Sequence, residues 1–137
     1  MRLVVVGVSG VIMPFQAKHR FARIAPRKAR LLMNLIRGRD VDDAITMLGF
    51  AKQRASGMIE KVVRSAVANA AEQEVRSRNA LYVKECWVDP GPVIKRFQPK
   101  DRGKAYSIMK RTSHLVVTLD EREDKTEKSA AKPARKK

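Results

Sequence analysis

A chain of 137 residues with 30 Lys and Arg against 14 Asp and Glu carries a net charge of +16. That length suits one domain, the 44% apolar fraction suits a folded one, and the charge points to a polyanionic partner, above all nucleic acid. The lone Cys86 excludes an internal disulfide and fits a reducing cytosol, and two distant histidines give no zinc spacing, so no metal and no cofactor is expected. Residues 1–13, MRLVVVGVSGVIM, are apolar but too short to span a bilayer, so no membrane association is expected. They resemble a weak signal peptide. The charge and the lone cysteine favour instead a disordered extension over 1–16, or a true start at Met13. GVSG at 7–10 lacks the glycine spacing of a nucleotide loop.

KHRFARIA at 18–25 alternates and predicts a short strand. Pro26 suits the first position of a helix, and PRKARLLMNLIRG runs from it to Gly38, a C-terminal cap. Leu31, Leu32, Leu35 and Ile36 are expected on its buried side, and Arg27, Arg30, Asn34 and Arg37 on another. With no acid nearby to pair these cations, an RNA-facing surface is favoured over a merely solvated one. Asp40 is the expected N-cap of a short second helix that buries Val41, Ala44, Ile45 and Leu48. Asp42 and Asp43 complement its dipole rather than bind a metal. A third helix is expected over 56–75, with Ile59, Val62, Val63, Ala66 and Ala70 as its apolar stripe. Alanines 66, 68, 70 and 71 permit close backbone approach, and Asn69 either contacts RNA or bonds within the helix. RSRN at 76–79 reads as a loop.

ALYVKECWVD at 80–89 and SHLVVTLD at 113–120 read as strands. The second places Leu115, Val117 and Leu119 on one face and His114, Val116 and Thr118 on the other. Together they predict a hairpin over about 81–119 with a long, irregular excursion. Ten or so residues per arm would reach roughly 30 Å. Prolines 90, 92 and 99 are expected to reduce pairing and stiffen the backbone, while Gly91 and Gly103 permit turns or close approach. Phe97 and Tyr106 are stacking partners among the charges. Such an arm repels itself in isolation and orders among phosphates. After Asp120 the tail is charged and low in apolar residues, and disorder is expected over 120–137.

Charge is concentrated in two windows. Residues 18–39 hold eight basic residues and no acid, and 94–111 hold seven with one acid, Asp101. The intervening 40–93 has seven bases and eight acids, a near-neutral body. The expected RNA-binding set is Lys18, Arg20, Arg23, Arg27, Lys28, Arg30 and Arg37 from the first window. From the second it is Lys95, Arg96, Lys100, Arg102, Lys104, Lys110 and Arg111, continuing into Thr112, Ser113 and His114.

APRKARLLMNLIRG at 25–38, SAVANAAEQ at 65–73, VDPGPVIKRFQPKDRGKA at 88–105 and MKRTSHLVV at 109–117 occur in this order. In that order and at those separations the chain resembles the large-subunit ribosomal protein 22 family over about 17–119. The resemblance implies an α+β fold: three helices on a small three-stranded antiparallel sheet, with a long protruding β-hairpin. It implies a structural constituent of the large ribosomal subunit, cytoplasmic, that binds 23S rRNA and aids assembly. Neighbouring large-subunit proteins and the nascent polypeptide are its further partners, and no homo-oligomer is expected. By position, the hairpin tip that lines the exit tunnel is Ile94, Lys95, Arg96, Phe97, Gln98, Pro99, Lys100, Asp101, Arg102 and Gly103, with the wider tip spanning about 90–105. Pro90 and Asp101 depart from the family pattern, and residues 1–16 and the tail have no counterpart in it.

Two alternatives belong to other classes. A DNA-architectural protein also carries basic β-arms but dimerises. An RNA-modifying enzyme would have to draw on Asp40, Asp42, Asp43, Cys86, His19 or His114, and these show no nucleophile–base pair or phosphate loop.

Overall fold

The computed structural model describes residues 15–72 and 80–122. The N-terminal extension, the loop at 76–79 and the tail beyond Arg122 lie outside the described residues. Strand β1 (Phe15–Ala22) is followed by helices α1 (Pro26–Ile36), α2 (Val41–Phe50) and α3 (Ala55–Glu72). Two long strands, β2 (Leu81–Pro99) and β3 (Ala105–Glu121), complete an antiparallel sheet in the order β1-β3-β2. The α+β architecture with its long hairpin is the one expected.

β1 starts earlier and ends earlier than the 18–25 expected, because Phe15 pairs with Leu119 and is buried, as is Ala17. The strand stops where an extra residue between His19 and Ala22 shifts the register and Phe21 takes a φ of +57°. This is a bulge that turns the chain toward α1.

In α1 the buried stripe is Ala29, Leu32, Met33 and Ile36. Leu31 and Leu35 are exposed, against expectation. The observed stripe is the stricter i, i+3, i+4, i+7 pattern, and small Ala29 lets the helix lie close to β2. The helix ends at Ile36, and Gly38 follows at φ +76°, the left-handed conformation its position called for. In α2 the buried face is Val41, Ala44 and Leu48, with Ile45 only partly covered. Asp40 is at the N-cap position but makes no side-chain cap; its carboxylate pairs with Arg122 at 3.0 Å.

α3 packs Ile59, Val62, Val63, Ala66 and Ala70 against β1 and β3, the stripe expected of it. Ala68 and Ala71 are exposed. Asn69 ties its helix to the sheet: its Nδ2 donates to the Gln16 carbonyl of β1 at 3.0 Å.

Within the body, central strand β3 is buried on both faces. Leu115, Val117 and Leu119 enter the core under the helices, while Val116 and Thr118 are also buried. Trp87 and Lys18 stand across from Val116, and Glu85 and Gln16 across from Thr118, so long cross-strand neighbours roof the helix-free face.

β2 is an edge strand, and within the body its outward groups find partners. The Gly38 amide donates to the Val83 carbonyl at 2.8 Å and the Val83 amide to the Arg39 carbonyl at 2.9 Å. Arg37 Nη2 donates to the Cys86 carbonyl at 2.8 Å, and Arg30 donates through Nε and Nη2 to the Val88 carbonyl at 3.3 and 3.0 Å. This covers an edge that could otherwise pair with another strand.

Candidate nucleic-acid interface

Beyond Asp89 the hairpin leaves the helices. It does not become the irregular excursion expected. Pairing resumes at Val93 with Arg111 and continues without interruption to Pro99 with Ala105. The prolines fit because β2 is an edge strand: Pro90 and Pro92 flank a register shift between Pro90 and Val93, and Pro99 is the last paired residue. Ile94, Arg96 and Gln98 face Lys110, Ile108 and Tyr106, pairs whose β-branched and aromatic members favour the extended form. From Asp89 to the turn the arm reaches roughly 30 Å. The turn is a short 3₁₀ segment, Asp101–Gly103, closed by the Lys100 amide on the Lys104 carbonyl at 2.9 Å. Arg102 and Gly103 both take positive φ, +49° and +80°, and only the glycine does so at no steric cost.

The arm is all surface. Lys95, Arg96, Lys100, Arg102, Lys104, Lys110 and Arg111 are exposed, and among the tip's apolar residues Phe97 is 77% exposed. Lys100 lies over the Tyr106 ring, 5.5 Å from its centroid. Gln98 and Pro99 are exposed as well, while Ile94 is half-buried at the arm's base.

The bulge junction explains Gly91. A Cβ there would sit 2.5 Å from Thr112 Oγ1 and 3.4 Å from His114 Nε2. Thr112 Oγ1 cannot give way freely, because it donates to the Pro92 carbonyl at 2.6 Å. Three residues of the expected RNA-binding set lie at this junction, and they are less exposed than the arm's cations. Thr112 and Ser113 are buried there, although Thr112 still lines a groove where the arm meets the body. His114 is half-buried, its Nδ1 accepting from the Phe21 amide at 3.0 Å and its ring edge-on to Phe21 at 4.9 Å. Only its Nε2 side remains for other contacts.

In the first basic window Lys18, Arg20, Arg23, Arg27 and Lys28 are exposed. Arg20 stacks over Phe21 at 5.4 Å. Arg30 and Arg37 keep their charge at the surface, but their donors hold β2. They are fold-forming first and outward-facing second.

Where arm meets body, a groove of about 520 Å³ opens. Arg23, Ile24 and Ala25 supply one wall, Arg54 another, and Ile94 with Met109, Lys110, Arg111 and Thr112 the third. No acid lines it, and none of its four cations is ion-paired with a described residue. Arg54 escaped the sequence reading because it lies in the window where charges balance. AKQR at 51–54, two cations with no acid between two helices, was the available local signal.

Of the groups considered for chemistry, Cys86, Asp40 and His114 are engaged within the fold. Cys86 is buried, its Sγ donating to the Met33 carbonyl at 3.2 Å, and burial pushes the thiol up against the opposing pull of Arg37. Asp40 is ion-paired and His19 half-buried on β1. Among the described residues no three His, Cys, Asp or Glu gather as a metal site, and no helix is long and apolar enough to cross a membrane.

Comparison with known proteins agrees with this geometry. Residues 17–120 match the family described as Ribosomal protein L22p/L17e. Proteins named large ribosomal subunit protein uL22 align along most of the chain. That of Bdellovibrio bacteriovorus is 44% identical over 110 residues, 80% of this chain and all of the relative. That of Thermoanaerobacter sp. is 46% identical over 111 residues, 81% of this chain and all of the relative. That of Lactobacillus delbrueckii subsp. bulgaricus is 51% identical over 110 residues, 80% of this chain and 93% of the relative.

Proposed function

Because the chain belongs to the L22p/L17e family of ribosomal proteins, we propose that its two basic surfaces bind 23S rRNA and that its arm runs inward through that RNA. It is a structural component of the large ribosomal subunit, not an enzyme, and resides in the cytoplasmic ribosome. The finer reading is that the body docks through Lys18, Arg20, Arg23, Arg27 and Lys28. The arm threads between RNA segments, aids their assembly, and presents the tip around Phe97 and Arg102 to the polypeptide exit tunnel. Neighbouring large-subunit proteins and the nascent chain complete its surroundings.

One observation carries this reading. Seven exposed cations line a two-stranded ribbon that stands roughly 30 Å clear of any core. No packing within the chain repays that exposure, whereas phosphates neutralise it and release counterions on contact. RNA packed on both sides of the ribbon would use both of its faces.

Sedimentation of tagged protein from lysate through a sucrose gradient at moderate salt tests the reading. Stoichiometric migration with the large subunit is expected. Migration as a small free species, or with chromosomal DNA, contradicts it.

A further inference from the structure

Phosphate contacts along the arm do not account for the groove at its base. The groove, about 520 Å³, falls within the roughly 300–1,000 Å³ typical of sites that enclose a small ligand. Segments far apart in sequence build it. Arg23 and Ile24 come from the β1–α1 connection, Arg54 from the α2–α3 connection, and Ile94, Met109 and Arg111 from the arm.

Its lining has two characters at once. The three arginines attract an anion. Ile24, Ile94 and Met109 offer an apolar floor, which a phosphate alone does not need. A paired RNA helix brings phosphates to a surface but keeps its base faces stacked inside. A nucleotide turned out of its stack carries both parts: a charged phosphate and a flat, weakly polar ring. Unbranched Met109, 48% exposed, can adapt its shape to lie along such a ring.

We propose that this groove seats one unstacked nucleotide of a bulge or loop, its base on Ile24, Ile94 and Met109 and its phosphates on Arg23, Arg54 and Arg111. The assignment rests on the RNA-binding reading above and adds to it a contact that depends on RNA shape. Most of the arm's contacts would be indifferent to base pairing; this one would not.

The test uses the full chain and two probes. One is a short RNA duplex with a single bulged 2-aminopurine nucleotide, and the other is the same duplex fully paired. The bulged probe is expected to bind roughly tenfold more tightly, an increment that burial of part of a ring on an aliphatic floor can supply, with a change in 2-aminopurine emission. Met109→Ser removes floor without changing charge and should erase the preference while leaving affinity for the paired duplex unchanged. Arg54→Gln should weaken the bulged probe more than the paired one. Both substitutions fall at exposed positions, so folding is preserved. Equal binding of both probes by the native chain, each weakened by salt, overturns the groove assignment and leaves the RNA reading standing. A preference that survives Met109→Ser also overturns it. Failure to bind either probe overturns the RNA reading itself.

Discussion

The body and the arm share two strands but obey different rules. Within the body, Val83, Leu115, Val117 and Leu119 are fully covered, and α1 and α3 supply the cover. A few residues further along the same strands, Lys95, Phe97 and Tyr106 are exposed. The backbone ladder hardly notices the change, since pairing runs through both regions with one register shift between them. Secondary structure is therefore continuous where tertiary structure stops. What ends at the junction is burial, and burial is what makes a residue costly to change. The body should respond to substitution through stability, and the arm through binding.

The largest expected effect is in the core. Ile59→Ala should lower unfolding free energy by about 2–5 kcal/mol, whereas Phe97→Ala on the arm should stay within about 0.5 kcal/mol. Chemical denaturation of both variants checks the pair, and comparable losses would break the distinction. Next comes the junction. Gly91→Ala drives a methyl into Thr112 and should cost about 1–3 kcal/mol, the range for overpacking, although its neighbours Pro90 and Pro92 are exposed. A neutral result would mean that the junction yields. A smaller contrast lies within α1. Arg30→Met strips the Val88 carbonyl of its partner and should cost about 1 kcal/mol, while Arg27→Met should cost almost nothing. Both lose one cation, so both should flatten the salt dependence of RNA binding by a similar step. The smallest effect is alkaline. Lys84 donates to Asp120 at 2.7 Å, and that bond with the carboxylate's charge raises its pKa above 10.5. The folded form holds this proton more tightly, so the contribution is complete below pH 10.5 and fades as pH climbs through the raised value. Lys84→Met should lose this small contribution near neutral pH and show no alkaline slope from it, so that the variant and the native chain converge in stability at high pH.

The helices were legible because their apolar residues recur at helical spacing and because Pro26 and Gly38 mark the ends of the first. Rotation of α1 was not. Leu31 and Leu35 looked buried by type, yet Ala29 and Met33 face β2, and Arg30 and Arg37 lock that orientation through carbonyls no sequence pattern displays. The arm was legible as a basic excursion but not as a ribbon. Its prolines read as breakers until strand order placed them on an edge. Among candidate contacts, exposed cations were found by charge alone. The burial of Thr112 and Ser113 was not legible, because adjacency to Lys110 and Arg111 says nothing of it, and Arg54 was hidden by averaging with distant acids.

The central claim is that the arm's cations serve RNA and not the fold. The most direct measurement is the slope of log affinity against log salt for large-subunit rRNA, in the native chain and in one with Lys95, Arg96, Lys100 and Arg102 all changed to Ala. If each cation neutralises one phosphate, the slope should fall by about 3–4, near 0.7–0.9 per contact, with the unfolding midpoint unmoved. An unchanged slope, or a variant that loses stability, would contradict the account.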